Sequence, residues 1–210
     1  MEGDEKKKMS KQRDFINAIA PLCVNEYLKR TKWVLPSVAI AQASLESGWN
    51  INAKTLYGIK GKGITSVTKE EINGRLIPTT ANFKVYPNIA ESVKGYYDLI
   101  TSLDRYKKAV NNPDYKNTII AIHKGRYATD SQYSYKIIKI IEQYNLTVYD
   151  VPRVYATSSE KNKNMITSVA LDVINGKYGN GAERKIKLTQ AGYDYRTIQN
   201  KVNQILRGGK

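Results

Sequence analysis

Apolar positions recur along most of this chain at helical spacing, with one stretch of strand-like alternation. Phe15, Ile16, Ile19, Leu22, Tyr27 and Leu28 predict a first helix, bent near Pro21, where the ring removes a backbone donor. Pro36 opens a second, Ser37 to about Glu46, which is apolar almost all round (Val38, Ile40, Ala41, Leu45) and so belongs inside. Residues 64–72 and 75–83 read as strands meeting at Asn73-Gly74, the dipeptide of a two-residue hairpin turn. Asn88, with Glu91 three residues on, predicts a capping box for a helix bearing Val93, Tyr96, Tyr97 and Ile100. Two more helices are expected, around Thr118–His123 and from about Ser131 to Tyr144. The class is α+β, mostly α.

Residues 151–162, with a proline and a Thr-Ser-Ser cluster, lose the periodicity and read as a linker between units at 1–150 and 163–210. The smaller unit shows three apolar stripes. Ile166, Ala170, Val173 and Ile174 make the first, Ile186 and Leu188 the second. Ile198, Val202, Ile205 and Leu206 make the third, with Gly192 and Asp194 as stop and cap between. A three-helix bundle this small needs all three stripes for its core.

Composition narrows the chemistry. One cysteine (Cys23, in the first apolar stripe, hence a core thiol) and one histidine (His123, on an amphipathic helix) leave no disulfide framework, no zinc site of the usual kind and no nucleophile-elbow triad. No metal and no cofactor are expected, and carboxylates or phenols are left to act. The net charge of +15 asks for an acidic partner: nucleic acid, anionic lipid or an anionic wall polymer. Residues 153–210 are the more basic part per residue, with 11 Lys+Arg against 4 Asp+Glu. The 16 tyrosines, against 2 Phe and 2 Trp, suit ligands with a hydroxylated edge and an apolar face, as sugars have. No apolar run is long enough to cross a bilayer, so no stable membrane insertion is expected. Met1 to Arg13 is charged and no apolar core follows, which predicts no secretory signal; Lys6-Lys-Lys8 reads as a frayed, solvated tail.

The sharpest candidate for chemistry is Glu46 in Ala41-Gln-Ala-Ser-Leu-Glu46-Ser-Gly-Trp49. Burial and the negative end of the helix dipole both disfavour its ionisation, and a protonated carboxyl is what a general acid needs to protonate a glycosidic oxygen. Equally, it is a carboxylate ending an apolar helix in solvent. Trp49 can desolvate the site or stack on a sugar. Glu70 and Glu71 lie before the hairpin tip, and alternation lets only one of them face a cleft. Charged hairpin ends also serve solubility.

Five motifs then occur in order. They are Glu46-Ser-Gly-Trp49, Leu56-Tyr-Gly-Ile-Lys-Gly61, Thr68-Lys-Glu-Glu-Ile-Asn-Gly74, Phe83-Lys-Val-Tyr86 with Ile89-Ala-Glu-Ser-Val93, and Tyr127-Ala-Thr-Asp130 with Tyr133. The series resembles the glucosaminidase domain of glycoside hydrolase family 73, found in bacterial autolysins, flagellar muramidase-like proteins and phage lysins. The resemblance implies a lysozyme-like fold with a β-hairpin lobe. It also implies hydrolysis of the β-1,4 bond on the reducing side of N-acetylglucosamine in peptidoglycan. By position it gives Glu46 as acid, Glu70 as second carboxylate, with Glu71 one place on, and Tyr127 at the cleft. Trp49, Tyr57, Gly58 and Tyr133 are the expected substrate contacts. Asp130 is better read as a helix N-cap. The family usually has Asn at Thr55, Phe at Tyr57 and Gly at Asn50. Inversion, retention and help from the substrate's own acetamido group all stay open.

Asp172-Val-Ile-Asn-Gly-Lys-Tyr-Gly-Asn-Gly181, Glu183-Arg184, Leu188, Ala191-Gly-Tyr-Asp-Tyr195 and Gln199 resemble one cell-wall-binding repeat of the seventh type. That resemblance implies a three-helix module for the glycan-plus-stem-peptide unit, with Asp172, Tyr178, Asn180 and Arg184 as wall-binding residues. The family usually has Trp at Tyr178. The expected partners are bacterial peptidoglycan and anionic wall polymers, with no nucleic acid. The expected role is a phage endolysin, made in the host cytoplasm and reaching the wall after holin-type release. The rivals are a muramidase or lytic transglycosylase on the same fold, and a non-catalytic wall-binding phage structural protein. A nucleic-acid binder would leave Glu46-Ser-Gly-Trp49 unexplained.

Overall fold

The computed structural model describes residues 2–72, 74–151 and 159–208, with side chains described over 9–72, 74–151 and 165–207. In chain order the elements are α1 (Glu2–Lys29), α2 (Pro36–Ser47), β1 (Gly63–Ile72), β2 (Arg75–Lys84), α3 (Ile89–Ser102), α4 (Tyr115–Lys124), α5 (Tyr133–Gln143), α6 (Ser159–Ile174), α7 (Gly181–Gln190) and α8 (Tyr195–Gly208). Single 3-10 turns stand at Asp104–Tyr106 and Leu146–Tyr149. The α+β, mostly helical class is as expected. Among the described residues no helix is long and apolar enough to cross a membrane.

The larger core is built round α2. Val38, Ala39, Ile40, Ala41 and Ala43 are wholly buried, enclosed by α1, α4, α5 and the Leu146–Tyr149 turn. Both ends of this helix are fixed. Asp150 Oδ1 accepts from the Ser37 N–H at 2.8 Å, satisfying one of the orphan donors of the first turn. Burial pushes that carboxyl up to about 6. At the other end the Gly48 and Trp49 N–H groups close back on Leu45 and Ser44 carbonyls. Cys23 is the expected core thiol, pushed by burial up to about 12. His123 is half-buried in the last turn of α4, its Nδ1 3.0 Å from Ser134 Oγ.

α1 is longer than the apolar stripe suggested, and its start is not frayed. The helix continues through Pro21 to Lys29, and the run Lys6-Lys-Lys8 has helical backbone instead of a frayed one. Glu2, Asp4 and Glu5 precede those lysines at the positive end of the helix dipole, where acidic residues favour an early start.

β1 and β2 pair in the register Ile72↔Arg75 to Gly63↔Lys84, as the Asn73-Gly74 turn predicts; Asn73 itself lies outside the described residues. A two-stranded hairpin is marginal alone. This one is tied at its base by Lys84 N–H to Ile59 O (2.8 Å) and Gly61 N–H to Asn82 O (2.9 Å). Farther out, Glu71 Oε2 accepts from the Ser131 N–H (2.8 Å), and the Glu71 N–H donates to Thr129 Oγ1 (3.0 Å). Asn88 caps α3 by accepting from the Glu91 N–H at 2.9 Å.

The expected linker falls largely on residues 152–158, outside the described ones. At its edges Val151 is buried in the larger core, and Ser159 already begins α6. The second core holds Val169, Ala170, Val173, Leu188, Ile198 and Val202. Three stripe residues, Ile174, Ile186 and Leu206, prove exposed. Tyr178, Tyr193 and Tyr195 pack against the small core and take their share of its cover. Asp194 caps α8 as expected, accepting from the Thr197 N–H at 2.7 Å.

Candidate active site

α2 delivers Glu46 to the floor of a cleft of about 440 Å³ between the helical body and the hairpin. The Glu46 residue is open toward the cleft, yet its carboxyl is wedged among protein atoms. Oε1 accepts from the Tyr133 hydroxyl at 2.7 Å. Oε2 lies against Gly58: a Cβ there would sit 3.0 Å from it, and the glycine's φ of +57° is one few other residues adopt. Gly58, expected as a substrate contact, makes room for the Glu46 carboxyl. Withdrawal from water pushes the Glu46 carboxyl up to about 7, against the Tyr133 hydrogen bond, which favours the ionised form.

Behind Tyr133 runs a chain of donors that the sequence reading missed. Tyr96 is wholly buried, and its hydroxyl donates to Gln42 Oε1 at 2.5 Å. Gln42 Nε2 donates to the Tyr133 oxygen at 2.9 Å, which leaves the Tyr133 proton for Glu46. The order is fixed from the buried end, because a reversed amide would leave the Tyr96 proton without an acceptor. Oε1 thus already receives a hydrogen bond, and the acid proton belongs on Oε2, at the cleft. The signal was present: Gln42 is a polar residue inside an apolar helix, one turn before Glu46 on the same face. Tyr133→Phe should raise the Glu46 pKa further. The alkaline limb of the rate–pH profile then moves to higher pH, and kcat falls roughly tenfold as the carboxyl loses its orientation. An alkaline limb that stays in place contradicts this role.

Glu70 lines the same cleft from β1, and Glu71 does not. Alternation turns Glu71 to the loop before α5, where its carboxylate holds Ser131. Lys60 Nζ, 2.7 Å away, holds the Glu70 carboxyl below the usual range, with Thr129 adding to the effect. The cleft thus presents one carboxyl pushed up to about 7 and one held below the usual carboxylate range.

Two expected contacts stand elsewhere. Trp49 packs edge-on against Phe15 (5.6 Å between ring centres) and tilted against Tyr144 (4.8 Å), and it does not line the cleft. Its own φ of +61° turns it back into the body. Tyr57 is buried, stacked on Tyr96 at 4.3 Å, and does not line the cleft; its carbonyl accepts from the Tyr127 hydroxyl at 2.7 Å. Tyr127 lines the cleft with its ring, 6.0 Å from that of Tyr133, but its proton is spent on that carbonyl. It shapes the wall of the site without supplying a proton. Asp130 accepts from the Gln132 N–H (2.9 Å), organising the turn before α5; the N-cap position itself is Gln132.

In the C-terminal unit, Arg184 is a hub. Nε donates to Gly179 O (3.0 Å), Nη1 to Gln199 Oε1 (3.1 Å) and Nη2 to Asn180 Oδ1 (2.8 Å). Asp172 pairs with Lys177 at 2.9 Å, and Tyr178 meets the Tyr193 ring edge-on at 6.3 Å. Asn180 and Arg184, expected at the wall, are thus engaged within the module, joining the glycine turn to α8. Arg184→Ala should cost roughly 1–3 kcal/mol of module stability by stranding these acceptors. A separate, earlier unfolding step in calorimetry reports it, and an unchanged trace contradicts it.

A mostly helical body with one hairpin, a carboxyl raised by burial on the cleft floor and a second held low by a lysine on the hairpin is a lysozyme-like arrangement. Residues 24–146 match the glucosaminidase family described as mannosyl-glycoprotein endo-beta-N-acetylglucosaminidase, and residues 167–206 match the CW_7 repeat. The exo-glucosaminidase LytG of Bacillus subtilis (strain 168) is 30% identical over 215 residues, 94% of this chain and 75% of that protein. A probable N-acetylmuramidase of Lactococcus lactis subsp. cremoris (strain MG1363) is 36% identical over 55% of this chain, which spans only 30% of that relative. Among solved structures, the catalytic domain of the autolysin Auto from Listeria monocytogenes aligns with a TM-score of 0.53 at 30% identity, over 71% of this chain and 97% of that one. The chain belongs to the glucosaminidase family of glycoside hydrolases and carries a CW_7 repeat behind its catalytic fold.

Proposed function

We propose that the chain hydrolyses peptidoglycan at the β-1,4 bond on the reducing side of N-acetylglucosamine, with Glu46 as general acid and Glu70 as second carboxylate. The observation that carries this is the pair itself: a carboxyl pushed up to about 7 on the cleft floor, and one that Lys60 holds ionised on the hairpin. Glu46 gives its Oε2 proton to the glycosidic oxygen as the bond to the anomeric carbon breaks. Water adds to that carbon, and Glu70, being ionised, can accept the proton the water loses. The N-acetylated sugar polymer is supported by the names of the relatives, one a glucosaminidase and one a muramidase, and by the wall-binding repeat. That same repeat supports a lysin that breaks walls, the phage endolysin of the sequence reading. Lysis of washed cells by added protein, lost with Glu46→Gln, tests that role.

The relatives differ in the bond they are named for, so the test is the chemistry of the new ends. Purified peptidoglycan is digested, reduced with borohydride and analysed by mass spectrometry. The proposal expects reduced N-acetylglucosamine ends, absent with Glu46→Gln. Reduced muramic ends would make the enzyme a muramidase, and anhydro-muramic ends a transglycosylase.

A further inference from the structure

The cleft carries more positive charge than hydrolysis needs. Lys60 and Lys136 are matched by Glu70 and Asp130, at 2.7 Å and 2.5 Å. Lys69, Arg105 and Arg126 line the same cleft with no carboxylate partner among the described residues. The two arginines come from separate turns brought into contact. Gly125, just before Arg126, packs so closely that an added Cβ would stand 2.5 Å from the Tyr106 ring and 2.8 Å from the Arg105 carbonyl oxygen. Arg126 is held at φ +60°, its N–H on His123 O at 2.8 Å. That left-handed conformation costs a non-glycine residue about 1–2 kcal/mol, and it sets this arginine on the cleft wall. Arg105 lies over the Tyr106 ring at 4.7 Å. From there a row of rings leads inward, Tyr106 to Tyr127 at 6.3 Å and Tyr127 to Tyr133 at 6.0 Å, ending on Glu46.

We propose that Arg105 and Arg126 form a carboxylate-binding subsite, which holds an acidic substituent of the glycan while the neutral sugar bond lies over Glu46. The inference rests on peptidoglycan being the substrate. A guanidinium fork matches a carboxylate in two bonds, and two forks on one patch exceed what a neutral amino-sugar polymer can use. On wall glycan the carboxylate belongs either to the lactyl group of the alternate sugar or to its stem peptide. The subsite therefore selects wall glycan over uncharged polymers with the same linkage.

The test compares glycan strands bearing stem peptides, strands stripped of peptide to free the lactyl carboxylate, and both with their carboxylates converted to amides. The wild-type protein should cleave the acidic strands with a kcat/KM about ten- to a hundredfold above the amides, mostly through KM, since charged hydrogen bonds are of that worth. With both arginines changed to Gln the preference should collapse toward one. The Arg105→Lys/Arg126→Lys protein, which keeps charge and loses the fork, should fall between. Preference for stripped strands assigns the lactyl carboxylate; preference for peptide-bearing ones assigns the stem. A wild-type protein indifferent to amidation, or a Gln variant that keeps the preference, overturns the subsite and leaves the hydrolase reading standing. If wild-type protein cleaves no strand at all, that reading falls first.

Discussion

Glu46→Gln is expected to lose 10²- to 10⁴-fold or more in glycan cleavage while making the folded protein more stable in neutral and alkaline buffer. The fold raises this carboxyl from 4.5 to about 7, so its ionised form is disfavoured in the native state relative to the unfolded chain. The cost is absent below about pH 4.5, grows as pH rises toward 7 and is complete above it. A group wholly cut off from water would cost about 3 kcal/mol for such a shift. Because Glu46 is open to the cleft, solvent screening reduces this to roughly 1 kcal/mol. Glutamine keeps the acceptor for Tyr133 and removes the charge. Thermal melts of both proteins should therefore coincide at pH 4 and separate at pH 8, the variant melting a few degrees higher. A variant that melts lower at pH 8, with its rate lost, would mean that Glu46 is structural.

Glu70→Gln should cost on the order of 10²-fold or more in kcat with KM little altered, whereas Glu71→Gln should keep most of kcat. The two residues are adjacent, equally acidic and on one strand, so general effects on charge or solubility cancel in the comparison. What differs is direction. Glu70 lines the cleft beside Lys60, and Glu71 holds the Ser131 N–H outside it. The Glu71 variant loses one anchor of the hairpin, so its effect should appear as a raised KM and easier proteolysis of the 63–84 segment. Equal losses of kcat in both variants would contradict the assignment and make the hairpin charge itself the active element.

How far this site could be read beforehand follows from the range of the forces involved. The hairpin register was legible because a two-residue Asn-Gly turn fixes it locally. Glu46 was legible because an apolar helix ending in a glutamate is a one-dimensional pattern. Trp49 was misplaced because its direction depends on a left-handed backbone turn after α2, which the sequence does not display. Tyr57, Tyr127 and Tyr133 look alike in the chain, yet one is core, one spends its proton on a carbonyl and one holds the acid. Only long-range packing separates them. Gln42 and Tyr96 were missed for the same reason: their partners lie 91 and 54 residues away. In the smaller unit Arg184 read as a wall-binding residue, and its hydrogen bonds, which close a local turn and bind α8, were not legible.

The central claim is that Glu46 is a carboxylic acid still protonated near neutral pH in the folded protein. Carbon-13 NMR of the glutamate side-chain carboxyls, with Glu46→Gln as the assignment control, follows that one group through a pH titration. The structure predicts a midpoint near 7, moving upward in Tyr133→Phe. A midpoint in the ordinary glutamate range, near 4.5, would mean an ionised carboxylate at working pH and would remove the general acid from the mechanism.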